Sequence, residues 1–439
     1  MYICYFVIKC KFDFQFLYLY IFKFEFILTN KRKIFNDPVY GFVTIPSDLI
    51  FQIIQHPYFQ RLRRIKQLGM AELVYPGAIH SRFQHALGAM HLMGEALQTL
   101  QSKGHLIMEI EKEAAQIAIL LHDIGHGPLS HALENTLLKD VNHETVSEVL
   151  MEEFNKQMNG TLNLAIEIFK GTYHRDFFHQ LISSQLDMDR MDYLKRDSFF
   201  TGVAEGQIGV DRIIKMLNVV DNQLVVEEKG LLSVENFLIA RRLMYWQVYL
   251  HKTSISAETM LSKIFERVRF LLKNSVKIEI PKNLRIFIEK SVTKQDFINE
   301  KKYRETFVQL DDIDVWFAVK TWQFHTDKIL SLLTQNLINR NLFKIKMGID
   351  LETKAILDEI KKSYKTLNCP SEDLKYFFEE SSISNSAYIN EASNIRILMK
   401  NGAILDISEA SDLPTVKALS NKVKKKYICY ANDVYLPNI

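Results

Sequence analysis

Cysteine is scarce in this chain. The four residues, Cys4, Cys10, Cys369 and Cys429, stand at spacings that fit neither a metal-binding pattern nor a disulfide framework. That excludes a cross-linked extracellular scaffold and points to a reducing, cytoplasmic setting. Charge of one sign is also lacking: a net charge of +3 gives no general ground for a nucleic-acid or membrane partner. Long apolar runs are missing too. Within the aromatic-rich first thirty residues the longest uncharged stretch is Phe14–Phe22, far short of a membrane span. No basic region precedes an apolar core there and no small-residue cleavage site follows, so the segment is a poor signal peptide. Its polar residues at 9, 11, 13 and 15 alternate with apolar ones, a strand-like and aggregation-prone pattern. We expect residues 1–30 to be a non-native or disordered extension outside the working protein, with no membrane partner.

What remains is globular. Apolar residues make up 47% and charged residues 24% of a chain long enough for one large domain and a smaller one. Residues 31–46 read as a loop and short hairpin turning at Asp37-Pro38, followed by a helix over 48–60 that breaks near Pro57. Phe59 to Leu68 (FQRLRRIKQL) reads as a basic helix with Leu62, Ile65 and Leu68 on its apolar face and Arg61, Arg63, Arg64 and Lys66 in solvent. From Ser81 to about Asn218 helix follows helix, residues 222–232 suggest a hairpin, and 233–272 return to helix. Beyond Lys273 the segments 277–281 and 284–288 lean towards strand, 311–343 towards helix, and 395–407 towards a hairpin turning at Asn401-Gly402. Residues 422–432 read as a last strand, with Lys424–Lys426 as its solvated end. The expected fold is mainly α, with a smaller α+β C-terminal portion: a core over 31–272 and a C-terminal region over 273–439.

The stretch Gln116–His131 (QIAILLHDIGHGPLSH) organises the rest. Ile117, Leu120, Leu121 and Ile124 recur at helical spacing, and into that apolar surface fall His122, Asp123 and, one turn on, His126. Gly125, Gly127 and Pro128 end the helix, with His131 just beyond. A buried imidazole beside a buried carboxylate is costly unless both are paired. A divalent metal accepts neutral nitrogen and carboxylate oxygen together. Ser81-Arg82-Phe83-Gln84-His85 opens an earlier helix, and LDMDRMDY (186–193) supplies Asp187, Asp189 and Asp192 as competing further ligands.

This constellation resembles the HD-domain metal phosphohydrolases, most closely their deoxynucleoside triphosphate triphosphohydrolase branch, from Lys33 to about Lys344. The resemblance implies a metal set of His85, His122, Asp123 and Asp189, binding a divalent ion such as Fe, Mn, Zn, Ni or Mg. It places acid catalysis at His126, His131 and His143, with Glu134 positioned to orient His131 across one turn. His174 and His179 have no such support and read as structural. It also implies substrate contacts at Gln67, Leu68, Arg82, Arg190, Tyr193, Asp197, Arg241 and Tyr249, and Lys252 adds a cation suited to phosphate. A tyrosine at 249 packed against C2′ is the family's means of preferring deoxyribose. A nucleotide activator site between subunits is implied at Lys33, Ile34, Gln60, Arg63, Arg340 and Lys344, in a homo-oligomer (dimer or tetramer). Where the animal enzyme reads guanine with aspartate, this chain carries Gln55, which offers one acceptor and a competing donor. The function so implied is hydrolysis of dNTPs to deoxynucleoside and triphosphate. Two alternatives stand beside it: an HD phosphohydrolase acting on nucleoside monophosphates or signalling nucleotides, and a non-catalytic nucleotide sensor or nucleic-acid binder using Arg61–Lys66.

Overall fold

The computed structural model describes residues 33–129, 133–348, 358, 371–385, 394–414, 416 and 423–431. The first thirty residues, His131 and Cys369 therefore lie outside the described part, and helix Glu134–Leu137 is described without the Glu134 side chain. The chain is mainly helical, with small sheets gathered mostly towards its C-terminal part. No helix among the described residues is long and apolar enough to cross a membrane.

Three helices meet at the centre. Arg82–Ser102 starts at a capping box in which the backbone N–H of Ser81 donates to Gln84 Oε1 at 2.9 Å. Its flank is buried nearly all round, from Phe83 and Ala86 to Leu97 and Leu100. Glu109–Leu121 packs against it, with Ala114, Ala115, Ala118 and Leu121 buried. Full burial of each large aliphatic side chain contributes about 1.5–3 kcal/mol, so the position of the helix end at Leu121 is firmly set. Met188–Thr201 is the third, capped by Asp187, whose side chain accepts from the backbone N–H of Arg190 at 2.7 Å and Ser184 at 2.8 Å.

Gly88 allows the first and third helices to touch. A Cβ there would stand 2.0 Å from Asp192 Oδ1 and 2.2 Å from Arg196 Nη2. The Asp192–Arg196 pair thus lies directly on the backbone of the first helix.

The hairpin at Ile34–Asp37 and Gly41–Thr44 forms with Asp37 at its turn, and Pro57 sits in the first turn of a new short helix, as the sequence suggests. Three expectations are corrected. The basic stretch is a 3-10 turn over Arg61–Arg64 followed by a bridge at Lys66; Arg63 and Arg64 are exposed as expected, but Arg61 is not in solvent. Arg61 is fully buried and donates to the carbonyls of Leu310 (3.1 Å) and Ile124 (2.7 Å), while Arg64 and Lys66 pair with Asp311 and Glu72. The hairpin expected at 222–232 lies at Leu217–Val220 and Gln223–Glu227, because Asp221 and Asn222 both take positive φ and form the turn. Neither of the two segments expected to lean towards strand is one: 277–281 has no regular structure, and 284–288 is part of helix Lys282–Glu289, since Leu284, Phe287 and Ile288 share one buried helical face.

The C-terminal hairpin Arg396–Leu398 and Ile404–Asp406 forms at Asn401-Gly402 and joins the 217–227 hairpin through parallel pairing of Val226 with Ile397. Val423–Tyr430 is the middle strand of a second antiparallel sheet. One connected apolar core runs through both parts of the chain, from Val43 to Ala431.

Replacing Gly88 with alanine should lower stability by about 1–3 kcal/mol, because the added methyl has no room. Thermal unfolding reads this, and an unchanged midpoint would contradict the close approach.

Candidate metal centre

His85 lies one turn into its helix and is wholly buried; His122 follows the last residue of its own; Asp189 stands in the first turn of the third helix. His85 Nε2 and His122 Nε2 are 3.4 Å apart, and Asp189 Oδ1 is 3.1 Å from the first and 3.3 Å from the second. Asp123 Oδ1 is 3.3 Å from His122 Nε2, and its Oδ2 is bonded to Arg82.

The opposite ring nitrogens are already engaged. His85 Nδ1 meets Asp192 Oδ2 at 2.7 Å, and His122 Nδ1 meets the carbonyl of Ile119 at 2.5 Å. With protons on Nδ1, two bare Nε2 lone pairs and a carboxylate oxygen face one another. Such a set repels itself unless a cation stands among them. Metal–ligand bonds of about 2.1 Å at angles of 90–110° place neighbouring donors about 3.0–3.4 Å apart, the separation found here. The residues therefore fit a divalent ion, with His85, His122 and Asp189 as one donor group and Asp123 beside it.

Electrostatics agree. Burial works against a charged His85, but Asp189 and Asp192 overcome it and raise its pKa to about 10. Burial likewise opposes the charge on His122, which Asp123 and Asp189 restore. Burial pushes Asp189 upward, yet His122 and His85 hold it below the ordinary carboxylate range. The same negative field that would hold protons on these imidazoles attracts a metal ion.

The three competing carboxylates separate by their neighbours. Asp187 is the helix cap, and burial drives its pKa up to about 6. Asp192 accepts from His85 and from Arg196 (2.9 and 3.0 Å), and Arg196 in turn donates to Asp37 at 2.7 Å. Asp189 alone of the three faces both Nε2 atoms. The role of Asp192 as the carboxylate behind His85 was missed in the sequence, where it reads only as a rival ligand. Its helical (i, i+4) spacing to Arg196 was the available signal.

The remaining expected residues fall into groups. His126 is buried, 3.3 Å from Asp123 Oδ1, and stacked on His143 at 4.0 Å between centroids. Burial and the neighbouring Arg82 hold His126 well below the ordinary imidazole value, so it is neutral at pH 7. Gly125 and Ser147 lock this loop: the Gly125 N–H donates to Ser147 Oγ at 2.9 Å, and that hydroxyl donates to the His122 carbonyl at 2.5 Å. A cleft of about 530 Å³ opens from His122, Asp123 and Asp189 to His143 and Glu144. His179, read as structural in the sequence, also lines this cleft.

On the same third helix, Arg190 reaches Tyr193 OH at 3.5 Å, and Asp197 accepts from Tyr249 OH at 2.8 Å. Tyr193 and Tyr249 stand edge to face, 6.0 Å apart. Arg241 is buried on Gln185 at 2.9 Å, with its Nε unpaired, and Gln67 carries an unpaired buried Oε1. Leu68 is partly buried nearby in sequence, and Lys252 is exposed at the start of helix Lys252–Lys273.

The expected activator residues divide in two. Gln60 accepts from Arg63 at 2.9 Å, and Lys33 lies over the Phe51 ring, with Ile34 and Gln55 exposed close by in the chain. Arg340 is anchored elsewhere, on the Leu73 carbonyl at 2.9 Å, and Lys344 begins a strand. No hydrogen bond or ion pair joins the two groups among the described residues.

Asp192→Asn should weaken divalent-metal binding about 10–100-fold by loosening His85. Asp187→Ala should leave metal affinity near wild type and lower stability by about 0.5–2 kcal/mol through loss of the cap. Calorimetric titration with Mn²⁺ separates them, and equal metal affinities in the two variants would contradict the assignment.

Comparison with known proteins bears on the same residues. The family model described as HD domain matches residues 82–197, and that described as HD associated region matches 208–279. An uncharacterized Bacillus subtilis protein, YwfO, is 33% identical over 91% of this chain and 92% of its own length. The crystal structure of a phosphohydrolase from Bacteroides thetaiotaomicron superposes with a TM-score of 0.88 at 50% identity, covering 92% of this chain and all of that one. A Dictyostelium discoideum protein named deoxynucleoside triphosphate triphosphohydrolase SAMHD1 homolog is 28% identical over 76% of this chain and 68% of its length. With a buried His/Asp cluster spaced for a divalent ion inside the matched segment, the chain belongs to the HD-domain family of metal-dependent phosphohydrolases.

Proposed function

We propose that the protein hydrolyses deoxynucleoside triphosphates to deoxynucleoside and inorganic triphosphate. The observation that carries this reading is the face of helix Met188–Thr201, which bears Asp189, Arg190, Tyr193 and Asp197 in succession. A carboxylate for the metal, a cation for phosphate, and a tyrosine and carboxylate for a sugar thus project from one rigid element. Arg241 Nε and Gln67 Oε1, both buried and unpaired, supply a donor for a phosphate and an acceptor for a sugar hydroxyl. Similarity to the Dictyostelium protein that is named for this activity adds support.

His85, His122, Asp123 and Asp189 would hold the ion, which when bound polarises a phosphoryl oxygen and lowers the pKa of bound water. Arg190 and Arg241 orient the phosphates, and Arg82 keeps Asp123 in place. His143 lines the cleft and is the group best placed to give a proton to the departing 5′-oxygen. Neutral His126, stacked behind it, supports its ring. His131 takes the role that the family resemblance gives it, and Glu134, three residues on, the orienting role that its spacing suggests. The divided activator residues support a site completed by a second copy of the chain, as in a homo-oligomer activated by a nucleotide. Gln55 would relax a guanine requirement there.

Product analysis tests this. With Mn²⁺ and the four dNTPs, singly and mixed, deoxynucleoside and intact triphosphate should appear. Both should be lost in the His122→Ala/Asp123→Ala variant. Turnover confined to the mixture would reveal the activator site. Metal-loaded protein that releases no triphosphate from any combination would overturn the assignment in favour of monophosphate or signalling-nucleotide hydrolysis.

A further inference from the structure

His80 precedes the capping serine of the first site helix and is 1% exposed. Its Nε2 meets Asp197 Oδ1 at 2.8 Å, while the other oxygen of Asp197 accepts from Tyr249 OH at 2.8 Å. The His80 ring is stacked on Phe200 at 4.5 Å, and its carbonyl accepts from the Gln67 N–H at 2.9 Å. Its Nδ1 is buried without a partner. An Nδ1–H there would be an unsatisfied buried donor, so the proton belongs on Nε2, where it is donated to Asp197. Four side chains from three parts of the chain thus form one directed chain: Phe200 and Asp197, both on helix Met188–Thr201, hold His80 between them, and Asp197 in turn fixes Tyr249.

The far end of this chain has need of an anchor. Tyr249 closes a five-residue π turn, Tyr245–Tyr249, between two helices, with the Leu250 N–H returning to the Tyr245 carbonyl at 2.8 Å. Backbone of this kind interrupts the regular helical hydrogen-bond pattern and recurs at functional sites. A tyrosine that excludes one hydroxyl from a sugar must be held to within a few tenths of an ångström. The Asp197 bond supplies that hold, and Asp197, itself 1% exposed, depends on His80 for its orientation.

We infer that His80 is a positioning residue that sets the preference for deoxyribose over ribose by locking the Asp197–Tyr249 pair. This rests on the dNTP assignment above. His80 touches no reacting atom; it acts through Asp197.

The test compares kcat/KM for each dNTP with that for the matching rNTP, using full-length, Mn²⁺-loaded protein. In His80→Ala the deoxy-to-ribo ratio should fall about tenfold or more, as expected for loss of a hydrogen bond to a charged group. His80→Gln, whose amide can still donate to Asp197, should recover most of the ratio. Tyr249→Phe removes one hydroxyl and opens no cavity, so it should fold even if His80→Ala does not, and it should show the same fall. Preserved discrimination in Tyr249→Phe, or equal loss of both activities with an unchanged ratio in the His80 variants, would overturn the inference alone. A wild type that hydrolyses nucleoside triphosphates but takes both sugars equally would do the same. A wild type with no action on any nucleoside triphosphate would overturn the dNTP assignment and this inference with it.

Discussion

The bond between His85 Nδ1 and Asp192 decides how the centre of the molecule is built. It turns Nε2 inward, fixes the tautomer, and requires a buried carboxylate where none is tolerable alone. Arg196 answers that requirement, and Asp37 in the N-terminal hairpin answers Arg196 in turn. All four groups are buried, and each is both partner and demand. Removing one member leaves an uncompensated charge in the interior, which costs far more than the net value of any single pair. Gly88 is part of the same constraint, because only a residue without a side chain lets the pair rest on the first helix.

A second set of contacts reaches the site from the C-terminal side. Arg61 binds the carbonyls of both Ile124 and Leu310, and Asp312 accepts from the N–H groups of Lys66 and Leu129 at 2.9 and 2.7 Å. The turn that follows His122 is therefore held between the basic segment and helix Asp312–Trp322, well beyond the segment matched by the HD-domain model. Burial drives Asp312 up to about 6, against the two backbone donors that favour its charge. Of the cations in FQRLRRIKQL, Arg61 is wholly committed to internal bonds and Arg64 and Lys66 are paired with Asp311 and Glu72, which weakens the case for a nucleic-acid surface there.

Local signals in the sequence were read well where chemistry and spacing coincide. Ser81 with Gln84, the His122-Asp123 pair inside an apolar helix, Asp37-Pro38 and Asn401-Gly402 each announce a structure set by neighbours within a few residues. Long-range pairings were not legible. Nothing near Arg61 reveals that two distant carbonyls will bury it, and around Asp192 only the spacing to Arg196 hints at the partner of a ligand rather than a ligand. His80 looked unremarkable because its partners, Asp197 and Phe200, lie more than a hundred residues on. Residues 284–288 show the limit for short apolar runs, where periodicities of two and of three to four cannot be told apart.

The clamp at Asp312 also has a timing. His85, His122 and Asp189 have all been synthesised once the ribosome passes Asp189, whereas Asp312 follows only about 6–25 s later at ordinary elongation rates. During that interval the turn that follows His122 exists without its outer strap. A fragment cut to the HD-domain match alone would stay permanently in that unstrapped condition.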